Sequence, residues 1–233
     1  MKKRIFAGIC CLMVLLTLAS CARERHDLLY SVEVGELTYC VRGTDTRAKQ
    51  VVVKRGNAIV FAQKVKVDAE VGSRGGNYGL SVQDLNFDGY DDVMIANEVY
   101  GDCTAYICWL WDTQKASFVR SEELSGLCNV VADAEKKAVF AFSHTFERER
   151  AYLDVPEATI TTDITTKYVW TDGVLTPEIR ISLIHYSETD MYCLSIAYYN
   201  AEAKQFSIDN TKEDWIKASE FAEYDLSELY YFK

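Results

Sequence analysis

Between Lys49 and Ile208 the chain repeatedly runs through β-branched and aromatic residues and then breaks at a short polar turn. This pattern constrains the fold more than any other feature, because such runs, joined by a few turn residues, pair as antiparallel hairpins. "KQVVVKRGNAIVFAQKVKV" turns at Arg55-Gly56-Asn57, and "TAYICWLWDTQKASFVRS" turns between Asp112 and Lys115. "TKYVWTDGVLTPEIRISLIHY" turns at Thr171-Asp172-Gly173, where glycine supplies the positive φ of a tight hairpin. "MYCLSIAYYNAEAKQFSI" is a fourth hairpin. Neither proline, Pro156 or Pro177, breaks a strong run, and "VGSRGGNYG" reads as a loop. Two hairpins echo each other: "WLWDTQKASFV" and "AYYNAEAKQFSI" both place aromatics before Asp112 or Asn200, then a polar turn, then Phe118 or Phe206. Repeated hairpins of this kind build meanders and propeller blades, and equally they are what hairpins in general look like. The expected class is mostly β, with antiparallel hairpins in a propeller-like fold.

The C-terminal region differs. Asn210-Thr211-Lys212-Glu213 has the form of a capping box, and Trp215, Ala218 and Ala222 share one helical face, so a short helix is expected from about Lys212 to Glu223.

The N-terminus opens with Lys2, Lys3 and Arg4, followed by an apolar run from Ile5 to Leu18. That run is short of the ~20 apolar residues a spanning helix needs, and it has the shape of a secretory signal. Leu18-Ala19-Ser20-Cys21 resembles the lipobox of bacterial lipoproteins. The resemblance implies cleavage before Cys21 and acylation of its thiol, with residues 1–20 as signal and 21–30 as a tether; an uncleaved anchor or an ordinary cleaved signal is the alternative. The remaining 31–233 would form a single β-rich domain, a length that one β domain can hold. The signal carries three basic and no acidic residues, so its removal takes the formal charge from −10 to −13. Such a body does not suit nucleic acid, whose phosphates need Lys and Arg, and it is repelled by anionic bilayers. Attachment to the bilayer would therefore rest on the acylated Cys21. Acidic surfaces suit cationic partners and calcium, and they also keep a protein soluble. With Cys10 and Cys11 in the signal and Cys21 taking the lipid, Cys40, Cys103, Cys108, Cys128 and Cys193 remain, an odd number that leaves at least one thiol outside any internal pairing.

The stretch "DLNFDGYDD", residues 84–92, carries the most specific chemistry. Counted from Asp84 as position 1, Asn86, Asp88 and Asp92 fall at 3, 5 and 9, Gly89 at 6 and Tyr90 at 7. A loop wound round calcium presents side-chain oxygens at 1, 3, 5 and 9 and a backbone carbonyl at 7, with glycine at the sharp turn. The skipped Leu85 and Phe87 are apolar and free to enter a core. Position 12 is Ile95 instead of a bidentate glutamate, and the flanks are β-like, so the loop joins two strands. A flexible acidic loop without an ion is the plainer alternative. The stretch "YGLSVQDLNFDGYDDVMIANE" resembles the FG-GAP motif of integrin-type propeller blades and of many secreted bacterial proteins. The resemblance implies calcium held by the side chains of Asp84, Asn86, Asp88 and Asp92 and the carbonyl of Tyr90. Together with "YICWLWD", "KASFV" and "EELSGL", the loop is similar to a group of small bacterial lipoproteins with a propeller-like β fold, some of which bind calcium and act as immunity proteins against lysozyme-like toxins.

Other candidate chemistry is weaker. His144, His185, Cys103 and Cys108 could be read as catalytic, but "CTAYICW" lacks the glycine and spacing of a cysteine-protease signature. Trp109 and Trp111 alternate with Cys108 and Leu110 in a strand pattern that more often fills a core than binds sugar. For disulfides, Cys103 and Cys128 are the best pair: a turn centred between Gln114 and Lys115 pairs residues summing to 229, which sets Cys103 opposite Gly126, two residues from Cys128. The overall expectation is a lipid-anchored protein of the cell membrane or outer membrane, facing outward from the cytoplasm. It would hold a structural calcium ion and act as a non-enzymatic protein-binding module, most concretely an inhibitor or immunity protein of a cell-wall lytic enzyme. An adhesion or polysaccharide-binding lipoprotein is second, and an envelope hydrolase third.

Overall fold

The computed structural model of the chain describes residues 26–44, 47–67, 76–149, 158–207, 212–217 and 220. The signal peptide and residues 21–25 of the expected tether, Cys21 among them, lie outside these residues. Three antiparallel sheets account for the architecture. Sheet 1 is a meander of β1 (Asp27–Val34), β2 (Leu37–Thr44), β3 (Arg47–Arg55) and β4 (Ala58–Lys64) in sequence order. Sheet 2 is a second meander of β5 (Leu80–Gln83), β6 (Asp92–Tyr100), β7 (Cys103–Asp112) and β8 (Ser117–Ser121). A single helical turn, α1 (Glu122–Ser125), follows. Sheet 3 contains β9 (Val131–Asp133), β10 (Ala138–Glu149), β11 (Ala158–Thr171), β12 (Val174–Tyr186), β13 (Met191–Asn200) and β14 (Gln205–Phe206), with β15 (Lys212–Lys217) also on β13. No sheet closes on itself among the described strands.

The hairpins form where the turn chemistry places them. Gly56 takes φ +55° in the β3–β4 turn, and Asp172 and Gly173 take +52° and +78° in the two-residue β11–β12 turn. The echoed hairpins share more than composition. Trp111 faces Phe118 and Tyr199 faces Phe206 in register, with ring centroids 5.0 and 5.4 Å apart. In both, the Asx side chain accepts two turn N–H groups, from Gln114 and Lys115 onto Asp112 and from Glu202 and Ala203 onto Asn200. In both, the turn closes on a left-handed residue, Ala116 or Lys204.

Sheet 2 is the middle layer, buried on both faces. On one side Val93, Ile95, Trp109 and Phe118 pack with Tyr39, Val41, Val51 and Val53 of sheet 1. On the other side Met94 and Cys108 pack with Leu85, Leu124, Val139 and Leu175. This explains why, after Asp92, β6 runs through Val93–Ala96 as a continuous apolar stretch rather than an alternating one. A smaller cluster of Leu183, Leu194 and Ile216 lies on sheet 3.

Two boundaries differ from expectation. Strand β1 begins at Asp27, inside the stretch expected as tether, because its residues pair with β2 from Asp27↔Gly43 onward. The expected helix from Lys212 to Glu223 is not formed over Lys212–Lys217, which is strand β15 paired with β13 from Met191↔Lys217 to Ile196↔Lys212. Trp215 and Lys217 are exposed while Ile216 is buried, the period of a strand. Pairing along β13 outweighs a local capping signal that is worth only ~1 kcal/mol. Beyond Lys217 only Glu220 is described, in helical conformation.

Candidate metal centre

The loop 84–92 joins β5 to β6 and wraps its acidic side chains inward on its own backbone. The Asp84 carboxylate accepts the N–H of Asp88 (3.2 Å) on one oxygen and the N–H of Gly89 (2.8 Å) on the other. Asn86 Oδ1 also accepts Asp88 N–H (3.3 Å), Asn86 Nδ2 donates to Asp88 Oδ2 (2.9 Å), and Asp88 Oδ1 accepts Tyr90 N–H (2.9 Å). Positions 1, 3 and 5 are thereby drawn together. Two left-handed residues make the winding possible, Phe87 at φ +62° and Gly89 at +89°. A Cβ on Gly89 would meet no atom within 4 Å, so what glycine supplies there is the backbone angle. Leu85 is fully buried and Phe87 packs against the same cluster, so the skipped positions anchor the loop. Trp170 of β11 fixes it from the side, its indole Nε1 donating to the Leu85 carbonyl at 2.8 Å.

Asp92 is placed differently from the other acids. It is fully buried at the start of β6, and its two oxygens accept Leu85 N–H (2.8 Å) and Trp111 N–H (2.8 Å). It thus ties the loop to β7. Burial pushes its pKa up to about 7; the Trp111 and Leu85 amides oppose that shift, and the charges of Asp88 and Asp84 add to it. Tyr90 leaves its ring half-exposed, and its carbonyl is the backbone oxygen expected at position 7.

The donor set suits a hard cation. Three carboxylates, an amide oxygen and a backbone carbonyl are all oxygen ligands, as calcium prefers. Among the described residues, no group of three or more His, Cys, Asp and Glu side chains is gathered as a metal site by those side chains alone.

The remaining candidates separate. Cys103 and Cys128 are joined by a disulfide with Cα atoms 5.3 Å apart. Cys108 is buried, with its pKa pushed up to about 12 by burial and then by Asp92, so its thiol is not an activated nucleophile. Cys40 and Cys193 are also buried and outside any disulfide. His144 Nδ1 lies 2.6 Å from Asp163 Oδ1 on sheet 3, a hydrogen bond that raises its pKa. His185 stacks on Tyr192 and lies 3.3 Å from Asp190. Trp109 is core, whereas Trp111 is only partly buried. Two features escaped the sequence reading: the Trp170 anchor and α1. The signal for α1 was Ser121 followed by two glutamates; Ser121 Oγ accepts Leu124 N–H and the acids occupy the first turn.

No family model matches the chain, and no curated protein matches it. Among solved structures, a Xanthomonas type IV secretion system related protein is similar in fold, with a TM-score of 0.52 and 13% identity over 78% of this chain and 97% of that one.

Proposed function

We propose that the chain is a lipid-anchored, extracytoplasmic binding module stiffened by calcium, and that it acts as an inhibitor or immunity protein of a cell-wall lytic enzyme. The observation that carries the reading is the 84–92 loop, whose inward-turned oxygens are fastened to two sheets by Asp92 and Trp170. A site so fastened serves shape. Asp84, Asn86, Asp88 and the Tyr90 carbonyl would hold the ion. Asp92 would contribute through lone pairs its two amide bonds leave open, and the ion would supply the positive charge that offsets the clustered carboxylates. Two successive four-stranded meanders match the strand count of propeller blades, which supports the propeller-like description. Likeness to a secretion-system related protein suits a chain that meets enzymes delivered into the envelope.

The test is a pull-down from envelope extract, with calcium present and the soluble mature chain without Cys21 as bait. Recovery of a cell-wall lytic enzyme, and stoichiometric loss of its peptidoglycan hydrolysis on mixing, is the expected result. Recovery of glycan alone would favour the polysaccharide-binding alternative, and peptidoglycan cleavage by the chain itself would favour the hydrolase. For the anchor, Cys21→Ser should abolish incorporation of labelled fatty acid; unchanged labelling would overturn it.

A further inference from the structure

Beside the metal loop lies an open groove of about 480 Å³, bounded by the β7–β8 hairpin, α1 and the β11–β12 turn. Strand alternation decides its floor. Leu110 faces Val119 in register, on the opposite side of the hairpin from the edge-to-face rings of Trp111 and Phe118. Leu110 and Trp170 pack on the same cluster, so the floor is apolar and ends at an indole. Val119 is 38% exposed, and Val174, next to the lining residue Gly173, is 53% exposed, which extends apolar surface to the rim. The rim is acidic: Asp112, Glu122 and Glu123 line the groove against a single cation, Arg120. Arg120 is already paired with Glu122 (3.1 Å) and Asp112 with Lys115 (2.6 Å), whereas the Glu123 carboxylate has no ion-pair or hydrogen-bond partner among the described residues.

An apolar floor with a carboxylate rim matches one kind of side chain, an aliphatic stem ending in a positive charge. The indole at the end of the floor adds a favourable surface for a cation. We infer that this groove is the docking surface for a lysine or arginine presented by a protein partner, its methylenes on Leu110 and Val119 and its head toward Glu123. The inference rests on the protein-binding reading and says where on the chain that binding occurs. It also gives the strongly acidic body a specific use, since a rim of one sign selects partners of the other.

The probe is a blocked peptide, acetyl-Ala-Arg-Ala-Arg-Ala-amide, titrated into the full mature chain in calcium while the assigned Trp170 indole N–H is followed by NMR. A saturable shift of that signal is expected, with a much weaker one from the citrulline isostere, which keeps the shape and loses the charge. Glu123→Gln should weaken binding by about 1.5- to 5-fold and Glu123→Lys by more, while Glu188→Lys, on the β12–β13 turn at the opposite end of β12 from the β11–β12 turn, should leave it unchanged. No shift at 10 mM peptide, or equal shifts from the citrulline peptide, would overturn the inference. So would a chitooligosaccharide that moves the Trp170 signal when the peptide does not. Should the chain capture a lytic enzyme with an affinity that Glu123→Lys and Val119→Asp leave unchanged, the groove is wrong while the binding module stands.

Discussion

Asp92 shows how one residue can serve both core and loop. Its carboxylate is buried against two backbone amides, and burial raises its pKa to about 7. A folded-state pKa raised above the ordinary carboxylate value means that the folded chain binds the extra proton. Without calcium, stability should therefore fall as pH rises from about 4 to about 7, by an amount on the order of a few kcal/mol. Asp92→Asn should flatten that slope, at a cost of about 1–3 kcal/mol, since the amide offers one acceptor where two N–H groups need one each. Denaturant midpoints at pH 4.5 and 7, taken in chelator on both proteins, measure this; equal slopes would show that Asp92 is not the titrating group. Tyr39 makes the opposite case. It is fully buried, its hydroxyl has no hydrogen-bond partner among the described residues, and burial followed by Asp91 and Asp92 raises its pKa to about 12. Tyr39→Phe removes an unsatisfied polar atom while keeping the ring against Phe118, so the variant should be at least as stable as wild type, by up to about 1 kcal/mol in a melt.

At the scale of elements, the β7–β8 hairpin was legible almost residue by residue. Cys108 faces Ser121 and Trp111 faces Phe118, the ladder that a turn centred after Gln114 requires. That ladder, continued, sets Cys103 opposite Gly126. Instead α1 takes up Glu122–Ser125, Ser125 Oγ accepts Cys108 N–H, and the chain returns to β7 at the Ala105↔Cys128 bridge, which brings Cys128 to Cys103. Ladder arithmetic, being local, brought Cys103 within two residues of Cys128; the helical detour that closes the gap was not readable, because a four-residue helix leaves almost no periodicity. The end of the chain shows the limit of local signals. Trp215 and Ala218 suit a helix face, yet the side chains of 215–217 alternate as a strand beside β13, and the partner strand decides between the two. The disulfide closes a segment of sequence separation 25, for which chain entropy gives about 3.5 kcal/mol. Reduction, or Cys103→Ala with Cys128→Ala, should lower unfolding stability by about 2–4 kcal/mol without altering the far-ultraviolet circular dichroism; an unchanged midpoint would mean the crosslink adds nothing to this fold.

For the molecule as a whole, the loop 84–92 lies where sheets 2 and 3 meet: Asp92 reaches β7, and Trp170 of β11 reaches Leu85. The same indole ends the floor of the acidic groove. Loop geometry and groove geometry therefore share a member, and an ion that fixes one should order the other. The loop's spacing could be read from the sequence because each of its parts lies within nine residues. The groove could not, because Asn86, Val119 and Trp170 meet only after sheets 2 and 3 pack. A free calcium concentration one hundred times the dissociation constant should stabilise the fold by roughly 2.7 kcal/mol, and extracytoplasmic affinities of about 10⁻⁴–10⁻³ M are typical of such modules. Thermal melts should accordingly rise with calcium, respond little to magnesium, which prefers a tight octahedron, and fall with chelator. Asp84→Ala and Asp88→Ala should each abolish the calcium response, because each removes carboxylate oxygens from the drawn-together set. Because the groove is coupled to the loop through Trp170, chelation should also weaken arginine-peptide binding to wild type, whereas Asp88→Ala should bind weakly with or without calcium. Calcium that raised the melting temperature and left peptide affinity unchanged would separate the two sites, restricting the ion to holding β5 and β6 together. Identical melts in calcium, magnesium and chelator for wild type and Asp88→Ala would reduce residues 84–92 to an acidic turn whose hydrogen bonds suffice without an ion.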